Sequence, residues 1–413
     1  MIYRFYHTAK TILTILILTA SVSFAQDFPI PESAKLIIND NRGGKWGDNP
    51  EVVLKFERTI GNLESENENF MFYLPQDIAA DRDGNKYILD AGNFRVLKFD
   101  KNWNFVRTFG QEGQGPGDLL KPLSIDTDRD GNIYVFDPGN IRIQAYNPEG
   151  RSLKTIEIES RSGKCRLFNS GESAIGGGLP KGVMQALKTG EPMDSGVSLI
   201  EVFTDNFSPI REFGIFRDFG NLMKNINGST FYFAIDNEDN TYLSFESQNR
   251  IEKYNSAGEL ELRIERPLNF EEFIPAPEMK RVNSGGKAGA FMYNTEKEKN
   301  IISNGIDVDS KGRVWVVTLR RQFEEDEKAF VAMSATVDEK GGISASSQSL
   351  KGNTQLRKTD IFELEVFDKD GYLLGRIPLD HFVDQLRIFD DKLYIIDKLR
   401  GMQIYEYKIA DTD

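Results

Sequence analysis

Two stretches of this chain repeat one another. LPQDIAADRDGNKYILDAGNFRVLKFDKNWNFVRTFG, from Leu74 to Gly110, and KPLSIDTDRDGNIYVFDPGNIRIQAYNPEGRSLKTI, from Lys121 to Ile156, share a proline, DRDGN, an aromatic residue, an aspartate, Gly-Asn and an arginine at an offset of 47 residues. A repeat constrains the fold more than composition can, because each unit must bury its apolar face against the next. A third copy runs from Phe231 to Ile264, a fourth starts at Ile302 and resumes from Ile361 to Ile377, and a truncated fifth spans Leu386 to Ile409. Aligning them gives an aromatic column of Tyr87, Tyr134, Tyr242, Trp315 and Tyr394. Asp81, Asp128, Asp236 and Asp309 stand six residues before it, and Arg95, Arg142 and Arg250 eight after it.

Within each copy, short apolar runs alternate with Asp/Gly/Asn turns, the pattern of a four-stranded antiparallel meander. Meanders repeating every 40 to 50 residues or so pack face to face around an axis as propeller blades. The 108 residues between Tyr134 and Tyr242 leave room for one degenerate blade holding Cys165 to Asn169 and Val197 to Gly214, which brings the count to six. The last copy has three strands, and EVVLKFERTIG from Glu51 to Gly61 is a strand without a blade. It is therefore expected to complete the last blade and close the ring. The fold class read from the sequence is an all-β, six-bladed β-propeller over 51–413 with an N-terminal extension at 26–50.

The Pro, Asp-x-x-Gly-Asn, Tyr-Val-x-Asp and Gly-Asn-x-Arg-Ile pattern of Leu74 to Ile156, with the glycines Gly110, Gly113, Gly115 and Gly117, resembles the NHL-repeat family of six-bladed β-propellers, particularly its exported bacterial members. The resemblance implies a scaffold and not a reaction. Arg4 and Lys10, the apolar run Ile12 to Ala20 and Ser23-Phe24-Ala25 have the order of a secretory signal at 1–25, so export to the periplasm or the extracellular medium is expected, with no transmembrane segment after cleavage. Two insertions, at 267–300 and 320–358, individualise the chain. The first mixes acids, proline and glycine with Phe270, Phe273, Phe291 and Tyr293 and is a candidate cap for the channel; the second, with its SASSQS stretch, reads as a mobile flap or a disordered loop.

Composition removes several kinds of chemistry. Sixty-four acids against fifty-one bases give a net charge of −13, which argues against a nucleic-acid partner. One cysteine makes no intramolecular disulfide, and two histidines make no three-histidine zinc site. NHL-related lyases that use several histidines on zinc are therefore poor guides to this chain. The run Asp126, Asp128, Asp130, Gly131 resembles a calcium loop, with Asp137 in place of its last acid, but strands flank it, and the turn itself needs Gly, Asn and Asp. The arginine column is expected to lay its stems on the aromatics and pair with a neighbouring blade's carboxylate. His381, beside Asp380 and Asp384, is the one candidate general acid or base.

Two functions remain. The first is a monomeric, non-catalytic module that binds a protein, peptide or glycan through Gln111 to Lys121 and the first insertion, with Glu112, Asp118, Lys121, Phe291 and Tyr293 as ligand contacts. The second is a calcium-dependent lactonase- or esterase-like hydrolase at the central channel, with Glu68, Asn69, Asp118, Asn304 and Asp384 as metal ligands. No cofactor is required by the first, and calcium by the second.

Overall fold

The computed structural model describes residues 30–159, 163–178, 197–274, 280–284, 287–292, 300–337 and 343–412. The signal segment 1–25 and Tyr293 lie outside the described residues. Six four-stranded antiparallel sheets make the blades. Blade 1 runs Pro75–Ala80, Lys86–Asp90, Arg95–Phe99, Phe105–Phe109, and blade 2 Ser124–Thr127, Ile133–Asp137, Arg142–Tyr146, Ser152–Glu157. Blade 3, the degenerate one, is Lys164–Leu167, Ser173–Gly176, Ser198–Phe203, Pro209–Ile215. Blade 4 is Phe231–Ile235, Thr241–Phe245, Ile251–Tyr254, Leu260–Glu265, and blade 5 Ser303–Val308, Val314–Leu319, Phe362–Phe367, Leu373–Pro378. Blade 6 is Gln385–Phe389, Lys392–Asp397, Gln403–Asp411 and, from the other end of the chain, Val52–Ile60. That last pairing runs from Val52↔Asp411 to Ile60↔Ile404, so the ring closes through backbone hydrogen bonds between the two ends of the chain. The first strand of each blade packs on the first strand of the next, all the way round.

The repeated aspartate makes the first turn of blades 1, 2, 4 and 5. Asp81 accepts from the backbone N–H of Asp83 and Asn85 at 3.0 and 2.9 Å, and from the Asn85 amide and the Tyr87 hydroxyl at 2.8 and 2.9 Å. Asp128 and Asp236 repeat the arrangement with Tyr134 and Tyr242, and Asp309 with the indole N–H of Trp315 at 2.9 Å. Each aspartate thus fixes its turn and the polar end of the aromatic six residues later. The DxDxDG run is such a turn: Asp128 is taken up by it, Asp130 is exposed, and Asp126 belongs to the first strand of blade 2.

Apolar residues meet between blades, one cluster per interface. Between blades 5 and 6 the cluster holds seventeen buried residues, and between blades 2 and 3 only Phe136, Ile143, Cys165 and Ile175. Among the described residues one α-helix, Leu222–Gly228, lies between blades 3 and 4, and no helix is long and apolar enough to cross a membrane.

Three expectations are corrected. The sheets of the propeller are not confined to 51–413: within the N-terminal extension, Lys35–Ile38 adds to blade 4 as a fifth, parallel strand, from Lys35↔Leu262 to Ile38↔Glu265. Downstream, Asn39 bonds blade 5 at Gly371 and Leu373, and Trp46, 6% exposed, covers Gly375, where a Cβ would overlap the indole. The second insertion is a hairpin, Ala329–Val337 against Ile343–Gly352, so the SASSQS stretch is strand. The arginines serve their own blades. Arg95 pairs with Asp90 at 2.7 Å and donates to the carbonyls of Glu68 and Met71, while Arg142 donates to those of Gln114, Gly115 and Asp118. Arg250 stacks on Phe245 with 3.6 Å to the ring centroid. Arg95 and Arg142 hold down the crossover that enters their own blade, because its carbonyls lie within hydrogen-bond reach of their guanidinium groups.

Candidate functional site

The first strands of the blades line the central channel, and their charges meet there. Asp77 pairs with Arg166 at 2.8 Å and with Arg387 at 3.4 Å. Arg387 also reaches Asp126 at 3.7 Å and Asp307 at 3.4 Å. The three carboxylates then accept backbone N–H groups of the next blade: Ile125 to Asp77 at 3.2 Å, Leu167 to Asp126 at 3.1 Å, Ile388 to Asp307 at 2.8 Å. Buried charges survive when paired and hydrogen-bonded, and this lattice ties blades 1 to 2, 2 to 3 and 5 to 6. Burial alone would raise the Asp77 carboxyl; Arg166, Arg387 and Lys164 outweigh it and hold it low.

Lys164 hydrogen-bonds Gln385 and sits 5.5 Å from the Tyr232 ring centroid. Burial pushes its ammonium down to about 7 against the pull of Asp77. It borders a channel cavity of about 200 Å³ with Arg166, Tyr232, Asp307 and Arg387.

Crossovers between blades, and the loops joining second to third strands, share one face of the disc, here called the upper face; the aspartate turns lie on the lower. Both insertions leave from the upper face, and their hairpins, Lys280–Ser284 with Lys287–Met292 and Ala329–Val337 with Ile343–Gly352, pack together. Beneath the second lies a cavity of about 390 Å³. Its apolar wall includes Phe323, Phe330, Phe362 and Phe382, and its polar wall Glu246, Asn304, Asp384 and Arg400. Tyr232 borders both cavities. Its hydroxyl donates to Asn304 Oδ1 at 2.6 Å, and Asn304 in turn donates to the carbonyl of Val383. Arg400 lies 3.5 Å over the Phe382 ring and donates to the carbonyl of Glu327, at the base of the second hairpin. Asp384 accepts from the backbone N–H of Lys398 and Leu399 at 2.7 and 3.2 Å. Its charge and burial raise the Asp397 carboxyl to about 6, burial being the larger cause. The Glu246 carboxylate, half-buried on this wall, makes no hydrogen bond or ion pair among the described residues.

The residues singled out in the sequence fall into separate places. Asn304 and Asp384 share the upper cavity. Glu68 borders a different depression with Asn93 and Arg95, and Asn69 shares its short 3₁₀ turn. Asp118 turns inward to its own loop, accepting from the Gln111 amide at 2.9 Å and the Gly115 N–H at 2.8 Å; a Cβ at Gly113 would collide with that carboxylate. Glu112 bridges Leu119 in the same loop, and the Lys121 backbone N–H donates to Asp137. Phe291 lies in the first insertion's hairpin. Among the described residues, no three of His, Cys, Asp and Glu converge as a metal-holding group. His381 is buried, stacked on Tyr405 with 4.0 Å between ring centroids, with Nε2 2.7 Å from the Tyr407 hydroxyl. Burial lowers its pKa; its ring nitrogens face the Phe382 carbonyl at 3.2 Å and the Tyr407 hydroxyl, not Asp384.

Lys164, Tyr232, Glu246 and Arg400 were not singled out in the sequence. One signal was available. Ten residues ahead of the aromatic column stand Asp77, Ser124, Tyr232, Gly305 and Asp384, a column that varies where its neighbours repeat.

A family model described as a 6-bladed beta-propeller, DUF5128, matches residues 66–170. No curated protein matches the chain by sequence. Among solved structures, a DUF4221 member from Bacteroides vulgatus is 11% identical with a TM-score of 0.55, covering 88% of this chain and 99% of its own. A Bacteroides fragilis protein whose name records an inferred export is 11% identical with a TM-score of 0.50, covering 92% and 99%. A gluconolactonase from Xanthomonas campestris is 13% identical with a TM-score of 0.45, covering 87% and 96%. At such identities the likeness is one of fold, and together with the six sheets of this structure it establishes the chain as a six-bladed β-propeller.

Proposed function

We propose that this chain is an exported, NHL-like propeller that works as a non-catalytic binding module, taking a peptide segment of its partner into the upper cavity. The observation that carries this reading is the wall itself: four phenylalanines face a polar side that includes the half-buried Glu246 carboxylate, under the hairpin of the second insertion. Apolar pockets with a few placed polar groups are the usual form of a ligand site, and Glu246 suits a peptide ammonium or guanidinium. The loop from Gln111 to Lys121 is a poorer candidate, because Arg142 and Asp118 spend their hydrogen bonds inside it.

The test is selection of random displayed peptides against residues 26–413, followed by calorimetry. Selected peptides should carry a basic residue beside an aromatic or aliphatic one and lose roughly tenfold or more in affinity, about 1.4 kcal/mol, on Glu246→Ala. Peptides that bind Glu246→Ala equally well would refute the site. A reversible rise in melting temperature with calcium, abolished by EDTA, would favour the hydrolase instead, since a metal bound only to the native state stabilises it by RT ln(1 + [L]/Kd).

A further inference from the structure

The lower face breaks its own symmetry at one place. In the aromatic column, Tyr87, Tyr242, Trp315 and Tyr394 are 0%, 2%, 0% and 1% exposed, whereas Tyr134 is half-buried. The cause is the thin seam between blades 2 and 3, which opens there into a groove of about 660 Å³. Tyr134 stacks on Phe207 at 6.2 Å and 29°, and Phe207 on Phe203 at 6.4 Å and 30°, forming an aromatic ladder at the groove. Phe207 holds φ at +60°, where the matching turns of blades 2, 4 and 5 use Gly150, Gly258 and Gly371. A residue with a Cβ is disfavoured in that conformation, so the ring is kept there at a cost. Around the ladder stand the exposed side chains of Arg82, Arg129, Asp130, Asp205, Asn206 and Asn237, none with a hydrogen-bond or ion-pair partner among the described residues.

We infer that this groove is a second binding site, on the face opposite the upper cavity, and that it takes a neutral oligosaccharide. A pyranose presents C–H groups on one face, which suit an aromatic ring, and hydroxyls at its edge, which both donate and accept. The rim offers both: guanidinium and amide donors, and carboxylate and amide acceptors, each planar and able to bridge vicinal hydroxyls. An apolar ligand would leave that rim unpaired, and a neutral ligand matches the balance of charge along the groove, Arg82, Arg129 and Lys154 against Asp128, Asp130 and Asp205.

The experiment is saturation-transfer NMR of the purified chain with cellohexaose, maltohexaose, laminarihexaose and mannohexaose, followed by titration of those that bind. At least one should bind, and Phe207→Gly should weaken it about tenfold or more. Glycine suits the backbone of this turn, so the variant should fold; Arg129→Ala and Asn206→Ala test the rim independently and should each weaken binding. Glu246→Ala, in the upper cavity, should leave saccharide binding unchanged, which separates this site from the peptide site. The inference fails if none of the four binds at millimolar concentration, if Phe207→Gly binds as tightly as the parent, or if only Glu246→Ala weakens binding.

Discussion

Trp103 and Phe207 hold the same left-handed position in the last turn of their blades, with φ of +67° and +60°, and differ in what the ring gains. Trp103 is 7% exposed, packs on Phe99 and on Tyr394 of blade 6, and donates its indole N–H to Glu406 at 2.8 Å. Removing a buried indole costs about 3–5 kcal/mol, and relief of the left-handed strain returns about 1–2. Trp103→Gly should therefore lose about 1–4 kcal/mol in urea unfolding, while Phe207→Gly, half-buried, should stay within about 1 kcal/mol of the parent. Lys164 offers a pH signature. Its folded pKa of about 7 lies below the unfolded value of about 10.4, so between these the unfolded chain binds more protons and the contribution of Lys164 to stability rises with pH. That contribution is lost as pH falls through 7. Lys164→Met should flatten the stability profile between about pH 7 and 10; an unchanged slope would mean that the ammonium stays charged in the folded channel.

At the scale of elements, the N-terminal segment does more than close the ring. Lys35–Ile38 extends blade 4, Asn39 and Trp46 lie on blade 5, and Val52–Ile60 completes blade 6, so one stretch of chain straps three blades. Trp46→Ala should cost about 3–5 kcal/mol by denaturant titration, as removal of a buried aromatic ring does; a cost under about 1 would mean that the strap adds little beyond its last strand. Val52–Ile60 was legible because nine residues of strand character remained after the repeats were counted and the last repeat was one strand short. KLII was not, because four residues have no stability as a strand until the edge of blade 4 supplies their partners. The SASSQS stretch misled for a related reason. Its serines carry a loop-like composition, and strand pairing from Ala329↔Gly352 to Val337↔Ile343 overrides local preference.

In the whole molecule the six seams are unequal. The seam between blades 5 and 6 buries seventeen apolar residues and that between blades 2 and 3 buries four. Hydrogen exchange should therefore show the amides of Ser152–Glu157 and Lys164–Leu167 opening before those of Val314–Leu319 and Lys392–Asp397; equal protection would mean that the ring unfolds only as one unit. The sequence by itself determined the blade: turn aspartates, aromatics and glycines recur at fixed offsets because hydrogen bonds inside one meander require them, and Asp81 with Tyr87 is that requirement in two residues. It also determined the number of blades and the strand that joins the ends, since both follow from counting copies. Only the tertiary structure decided the sites. Asp77, Arg166 and Arg387 belong to blades 1, 3 and 6, and Glu246, Asn304 and Arg400 to blades 4, 5 and 6 or their loops. Their meeting depends on the curvature of the ring, which no local pattern encodes. Tyr134 shows the same limit: its place in the repeat is identical to that of Tyr87, and its exposure was decided by how little apolar surface blade 3 brings against it.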